Sequence, residues 1–168
     1  MAERHAPSAI RLRPATAEDG FLLRRWLKDP AIEACAGNRA SAEAEIALAR
    51  LSATALSRIV TWQARPIGYA HALEMGLRAG AQAPDIPAGT WDTQVWIMPS
   101  HPRVLAAIPA LLAAEVFATT LAVACCGLVS IRQERMVRAY EQAGFRWRRI
   151  WNDPLFGPAW LMLKERPQ

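Results

Sequence analysis

The alternation of extended and helical periodicity along the chain limits its folds more than any other feature. Ile10-Arg11-Leu12-Arg13 alternates and ends at Pro14, the pattern of a first strand. Thr16 precedes Glu18-Asp19, an N-cap followed by acidic first-turn residues. Phe21, Leu22, Leu23, Trp26 and Leu27 then follow at helical spacing, and Asp29-Pro30 predicts the stop. Ser41 opens a second predicted helix through Glu43, Ile46, Leu48 and Leu51, with Glu45 in its first turn. From Ser57 the period changes: Ile59 to Trp62 reads as a strand, Arg65-Pro66 as a turn and Ile67 to Met75 as the hairpin partner. Gly76 to Gly89 reads as a loop. Thr90 to Met98 reads as a strand with Trp91, Thr93, Val95 and Ile97 on one face, and Pro99 to Pro102 as a loop. Ala106 to Thr119 is a predicted helix, Thr120 to Cys126 a short buried strand, and Gln133 to Ala143 a helix closed by Gly144. Phe145 to Trp151 and Ala159 to Lys164 complete the strands, with a turn at Asn152-Asp153-Pro154. The order β-α-α-β-β-β-α-β-α-β-β predicts one α/β domain over 1–168, with a mixed, mostly antiparallel sheet of six or seven strands and helices on both faces.

Composition narrows the function classes. Apolar residues make up 52% and charged residues 21%, which suits a packed domain and excludes a disordered one. The longest apolar candidate, Val104 to Val129, is broken by Pro109 and Glu115, so no bilayer span and no membrane partner are expected. Met1 to Ser8 carries Glu3, Arg4 and His5 with no apolar stretch after it, so it does not read as a signal peptide and a cytoplasmic address is expected. Cys35, Cys125 and Cys126 are odd in number with two adjacent, which reads as buried thiols and neither a disulfide framework nor a metal site. The net charge of +5 is scattered, densest at Arg146, Arg148 and Arg149, without the basic run expected of a nucleic-acid binder.

The most informative segment is Ala139-Tyr140-Glu141-Gln142-Ala143-Gly144-Phe145. Gly144 permits the left-handed residue that closes the helix, Phe145 starts a strand inside the core, and Tyr140 lies one turn before the helix end. The segment resembles the one in GNAT (GCN5-related) N-acetyltransferases where a helix ends in Tyr-x-x-x-Gly-Phe and passes into a strand. Ile10 to Asp19 resembles the family's opening strand and helix cap. Trp26-Leu27-Lys28-Asp29-Pro30 and Pro66-Ile67-Gly68-Tyr69 resemble the branch that includes aminoglycoside and siderophore-amine acetyltransferases.

That resemblance implies acetyl-CoA as co-substrate, a small-molecule amine as acceptor, no metal, and a cofactor cleft between splayed fourth and fifth strands. It implies Tyr140 as the acid that protonates the departing thiolate; a phenol of pKa about 10 is a reasonable donor to a thiolate of about 8.5. It places the backbone of Val95, Trp96 and Ile97 along the thioester, and Arg103, Val104, Ala106 and Ile108 in the phosphate loop. The basic balance suits a polyanionic cofactor. Two departures stand out. The family's Arg/Gln-x-x-Gly-x-Gly/Ala is here Arg103-Val104-Leu105-Ala106-Ala107-Ile108, with a β-branched residue where phosphates approach, although Pro109 suits the first helical position. Gln133 stands where the family commonly has asparagine, with similar hydrogen bonds and longer reach.

Asp92 and Glu74 are the candidate general bases, with His71 a further option that reads more readily as a packed histidine. Trp26, Trp62, Trp96, Trp147 and Trp160 are expected in the core, and Trp91 or Trp151 at the border of an acceptor pocket. A non-catalytic acyl-CoA-binding module and a protein N-terminal acetyltransferase are the alternatives. A homodimer is compatible with the sequence and not required by it.

Overall fold

The computed structural model describes residues 9–36, 39–77, 85–153 and 157–168. The elements are β1 (Ile10–Pro14), α1 (Gly20–Trp26), α2 (Pro30–Ala36), α3 (Arg39–Leu51), β2 (Leu56–Trp62), β3 (Arg65–Glu74), β4 (Thr90–Ile97), α4 (Ile108–Thr119), β5 (Ala124–Ser130), α5 (Glu134–Gln142), β6 (Arg146–Asp153) and β7 (Gly157–Glu165). The seven strands form one sheet in the order β1-β2-β3-β4-β5-β7-β6. Every pairing is antiparallel except β4 with β5. The expected mixed sheet is therefore present.

Helices cover both faces, because successive strand side chains alternate sides. On one face α4 and α5 pack over Val60, Ala70, Ala72, Trp91, Val95, Cys125, Val129 and Met162. On the other, α1 to α3 pack over Ile59, Tyr69 and Trp96. A smaller cluster on that second face gathers Met75, Cys126, Leu128, Leu161 and Leu163. Cys125 and Cys126 go to opposite faces, both wholly buried, and burial pushes the Cys125 thiol up to about 12.

Several boundaries depart from the sequence pattern for local reasons. α1 stops at Trp26, before Asp29-Pro30 as expected, but Pro30 opens a further helix that the pattern did not give. Asp29 Oδ1 accepts the N–H of Ala31 at 2.9 Å and Pro30 opens α2, a cap followed by proline at the first helical position. α3 begins at Arg39, earlier than Ser41. Thr120 to Val123 form the connection out of α4, with Thr120 as its extended C-cap residue, and are not part of β5. Thr120 Oγ1 donates to the Val116 carbonyl at 2.7 Å and accepts from Ala122 N–H at 3.0 Å. The Arg166 guanidinium donates to the carbonyls of Phe117, Thr120 and Ala122, each at 2.7 Å. These bonds satisfy the helix C-terminus, so the strand starts four residues late. The β6–β7 ladder runs on to Asn152–Pro158 and Asp153–Gly157. The predicted Asn152-Asp153-Pro154 turn thus starts inside a strand, and Pro154 lies outside the described residues. Much of the predicted 76–89 loop also lies outside them. Trp147 is 62% exposed on edge strand β6 and not in the core, its ring 5.6 Å from that of Trp160.

Candidate active site

The parallel pairing of β4 and β5 is short. It joins Thr90, Trp91 and Asp92 to Ala124, Cys125 and Cys126 and then stops, while β4 continues to Ile97 and β5 to Ser130. Beyond Asp92 the two strands part, and the cleft between them is lined by Gln94 and Val95 from β4, Leu128, Val129 and Ser130 from β5, Gln133, Met136 and Tyr140 at α5, and Cys35 from α2.

The apex of the cleft is built around Tyr140. α5 carries Met136, Ala139 and Tyr140 on its buried face. It ends where Gly144 adopts φ +89°, allowing the Phe145 N–H to donate back to the Tyr140 carbonyl at 3.0 Å. Lys164 Nζ donates to the Ala143 carbonyl at 2.6 Å, a cation at the negative end of the helix. The Phe145 ring meets that of Tyr140 edge-on, with centroids 4.8 Å apart. Gly127 of β5 lies under the phenol, and a Cβ there would overlap the ring. The Tyr140 hydroxyl donates to the Thr93 carbonyl at 3.0 Å, and Thr93 Oγ1 donates to the Cys126 carbonyl at 2.8 Å. These two bonds bridge the strands where the ladder ends. The phenol therefore points into the parting of the sheet. Burial holds its proton well above the usual tyrosine range, so it stays protonated at neutral pH.

At the other end, the loop after β4 coils into successive turns. N–H groups of His101, Val104 and Ala107 donate to the carbonyls of Met98, His101 and Val104, and Ile108 N–H to that of Leu105. Val104 and Ile108 turn their side chains into the core, Ile108 completely. The β-branched side chain therefore does not obstruct the surface, as the sequence suggested; it fills the space under α4. The surface is instead a hollow of about 380 Å³ lined by Pro102, Arg103, Leu105, Ala106, Arg135, Arg138, Ala139 and Gln142. Arg135 and Arg138 stand three residues apart on the exposed side of α5 and face the loop arginine across it. The sequence pattern did not single them out; their i, i+3 spacing on the helix that carries Tyr140 was the available signal.

The other candidates are distributed as follows. Val95 and Gln133 line the cleft, and Gln133 Oε1 accepts from the Cys35 thiol at 3.3 Å. Burial pushes that thiol up to about 11, away from a reactive thiolate. Trp96 turns to the opposite face, and its indole packs against Tyr69 with centroids 5.2 Å apart. Ile97 packs at the margin of the α4 core. Asp92 is buried at the last paired position, on the same face as Trp96, with Cys126 Sγ 3.9 Å from its Oδ1. Glu74 is exposed at the end of β3 and pairs with Trp91, on the closed side of the fork. The described residues contain no group of three or more His, Cys, Asp or Glu able to hold a metal, and no helix among them is long and apolar enough to cross a membrane.

No family model matches this sequence, and no curated protein matches it. Solved structures do match its fold. The aminoglycoside acetyltransferase AAC(6')-Ib in complex with coenzyme A superposes with a TM-score of 0.80 at 23% identity, covering 94% of this chain and 95% of that one. The spermidine N-acetyltransferase of Vibrio cholerae in complex with CoA and spermine gives 0.72 at 13% identity, over 94% and 96%. The aminoglycoside N(6')acetyltransferase of Legionella pneumophila gives 0.71 at 16% identity, over 92% and 91%. The chain thus shares, over nearly its whole length, the fold of GNAT-type acetyltransferase structures.

Proposed function

We propose that the protein is an N-acetyltransferase that moves an acetyl group from acetyl-CoA to a primary amine of a small molecule by direct attack. The observation that carries this reading is the fork of β4 and β5, with a buried phenol at its apex and three arginines at its open end. Solved structures of the same fold bind coenzyme A, with aminoglycosides or spermine as further ligands in some.

The residues present fit such a co-substrate. Arg103, Arg135 and Arg138 offer guanidinium forks for phosphate oxygens, a side-chain answer to a loop whose amides are largely spent in turns. Gln94 and Val95 of β4 line the cleft that a pantetheine arm would enter, and the arm would continue along the β4 backbone at Trp96 and Ile97. When bound, acetyl-CoA supplies an activated acyl carbonyl and a thiolate leaving group. Tyr140 holds the proton for that thiolate at the apex. Asp92, buried beside the fork, takes a proton from the incoming ammonium; Glu74 lies on the closed side of the fork and is the weaker candidate.

The test is release of free thiol from acetyl-CoA across a panel of amines, comparing wild type with Asp92→Asn and Tyr140→Phe. The proposal requires turnover with at least one amine, and a loss of about 10²-fold or more in each variant. The coiled loop at His101 to Ile108 favours a second reading, a module that binds coenzyme A without transferring. Binding without thiol release from any amine would establish that reading instead.

A further inference from the structure

A strip of polar side chains crosses the apolar layer between the sheet and α3. Gln94 lines the cleft and lies opposite His71 in the β3–β4 ladder, with Trp96 opposite Tyr69 on the same face. His71 is wholly buried, with its ring 5.5 Å from that of Tyr69 and 5.9 Å from that of Trp96. Its Nε2 lies 3.7 Å from Glu45 Oε2 of α3, and the Glu45 side chain is 20% exposed. The strip thus begins at the cleft and ends at solvent. At its inner end the Nε2 of Gln94 and the Nε1 of Trp96 are buried donors with no hydrogen-bond partner among the described residues. A buried donor without a partner is costly, so the position beside Gln94 suits an acceptor atom such as a water oxygen.

Amide formation from an ammonium creates a proton that must leave. The nitrogen forms a bond to the acyl carbon, the carbon–sulfur bond breaks, and the nitrogen loses two protons. One goes to the thiolate; the other has no place in the products and must reach bulk water. We propose that His71 and Glu45 carry this second proton from the floor of the cleft to solvent. This rests on the transferase reading above. Asp92, two residues before Gln94 on the same face, passes the proton to a water held by the Gln94 amide. That water hands one of its own protons to His71, the imidazolium passes its Nε2 proton to the facing Glu45 carboxylate, and Glu45 releases that proton to bulk water. A charged His71 is tolerable in this layer only because Glu45 faces it. The charged or titratable groups on the elements around His71 are Glu45 and Arg50 of α3, Tyr69 of its own strand and Asp92 of β4; Ser57 of β2 lies directly opposite His71 in the β2–β3 ladder, its hydroxyl 2.9 Å from that of Tyr69. Neither His71 nor Glu45 touches the reacting atoms; they are positioning residues for the proton.

The test uses the full-length protein with His71→Gln and Glu45→Gln, which keep a polar side chain of similar reach. The His71 ring resonance, assigned by its loss in His71→Gln, is followed by NMR from pH 5 to 9. It titrates reversibly in the folded wild type, and Glu45→Gln moves that titration to lower pH, because a stabilising negative charge is gone. In turnover, each variant slows about tenfold in kcat with coenzyme A affinity unchanged, and added imidazole restores the rate in proportion to its concentration while wild type ignores it. A His71 ring that does not titrate in that range, or variants that turn over as wild type or slow without rescue, overturn the route. A wild type that binds acetyl-CoA yet acetylates no amine overturns the transferase reading and removes the route with it.

Discussion

The two ends of the β4/β5 cleft are built on opposite principles. At the closed end Tyr140, Thr93 and Gly127 are buried, the hydroxyls of Tyr140 and Thr93 have partners, and the glycine is required by the ring above it. At the open end Arg103, Arg135 and Arg138 are exposed and contribute charge through flexible side chains. A buried end admits few residue types, because each substitution leaves a void, a clash or an orphaned polar atom. An exposed charged end admits many, because phosphate binding can be met by backbone amides or by guanidinium groups.

The largest effect expected from this contrast is at Ile108. Its side chain belongs to the buried core although it sits in the loop sequence, so Ile108→Gly should lower unfolding stability by roughly 3–5 kcal/mol, from the core cavity and the added helix flexibility. Chemical denaturation reads this directly. A stable variant with tighter coenzyme A binding would show that the side chain faces the phosphates after all.

Tyr140→Phe should come next, slowing the chemical step by about 10²-fold with acetyl-CoA affinity within a few-fold. Wild-type turnover should show no alkaline loss attributable to this phenol below about pH 10, since a group raised above its ordinary value stays protonated there. Full turnover in Tyr140→Phe across the pH range would move the acid elsewhere. Smaller again, Arg135→Ala and Arg138→Ala should each weaken coenzyme A binding by about tenfold, and the loss should shrink at high salt because both charges are exposed. Calorimetry at two ionic strengths measures it; salt-independent losses would contradict the charge account. The smallest effect should be at Glu74: Glu74→Gln changes turnover less than about twofold if Asp92 is the base, and a loss comparable to Asp92→Asn would exchange their roles.

Legibility in the sequence followed the same division. Tyr140, Gly144 and Phe145 could be read because a helix closed by a left-handed glycine and entering a buried strand constrains residue type at fixed spacing. The β4/β5 fork was implied by the family resemblance and not by the element order alone. Arg135 and Arg138 were invisible because an exposed arginine on an amphipathic helix looks like any solvated face. Ile108 was misplaced because its fate depends on three-dimensional packing against strands far away in sequence. β5 slipped by four residues because Arg166, forty-odd positions downstream, caps α4 with bonds that no local pattern announces.

The most direct test of the central claim is a calorimetric titration of the wild-type chain with acetyl-CoA, alongside the Arg135→Ala/Arg138→Ala double variant. The fork and its arginines predict saturable binding of one acetyl-CoA per chain, and a double variant with at least tenfold weaker affinity and an unchanged unfolding transition. No binding heat at millimolar acetyl-CoA, with no rise in the unfolding temperature of the wild type, would contradict the claim that this cleft is an acyl-CoA site.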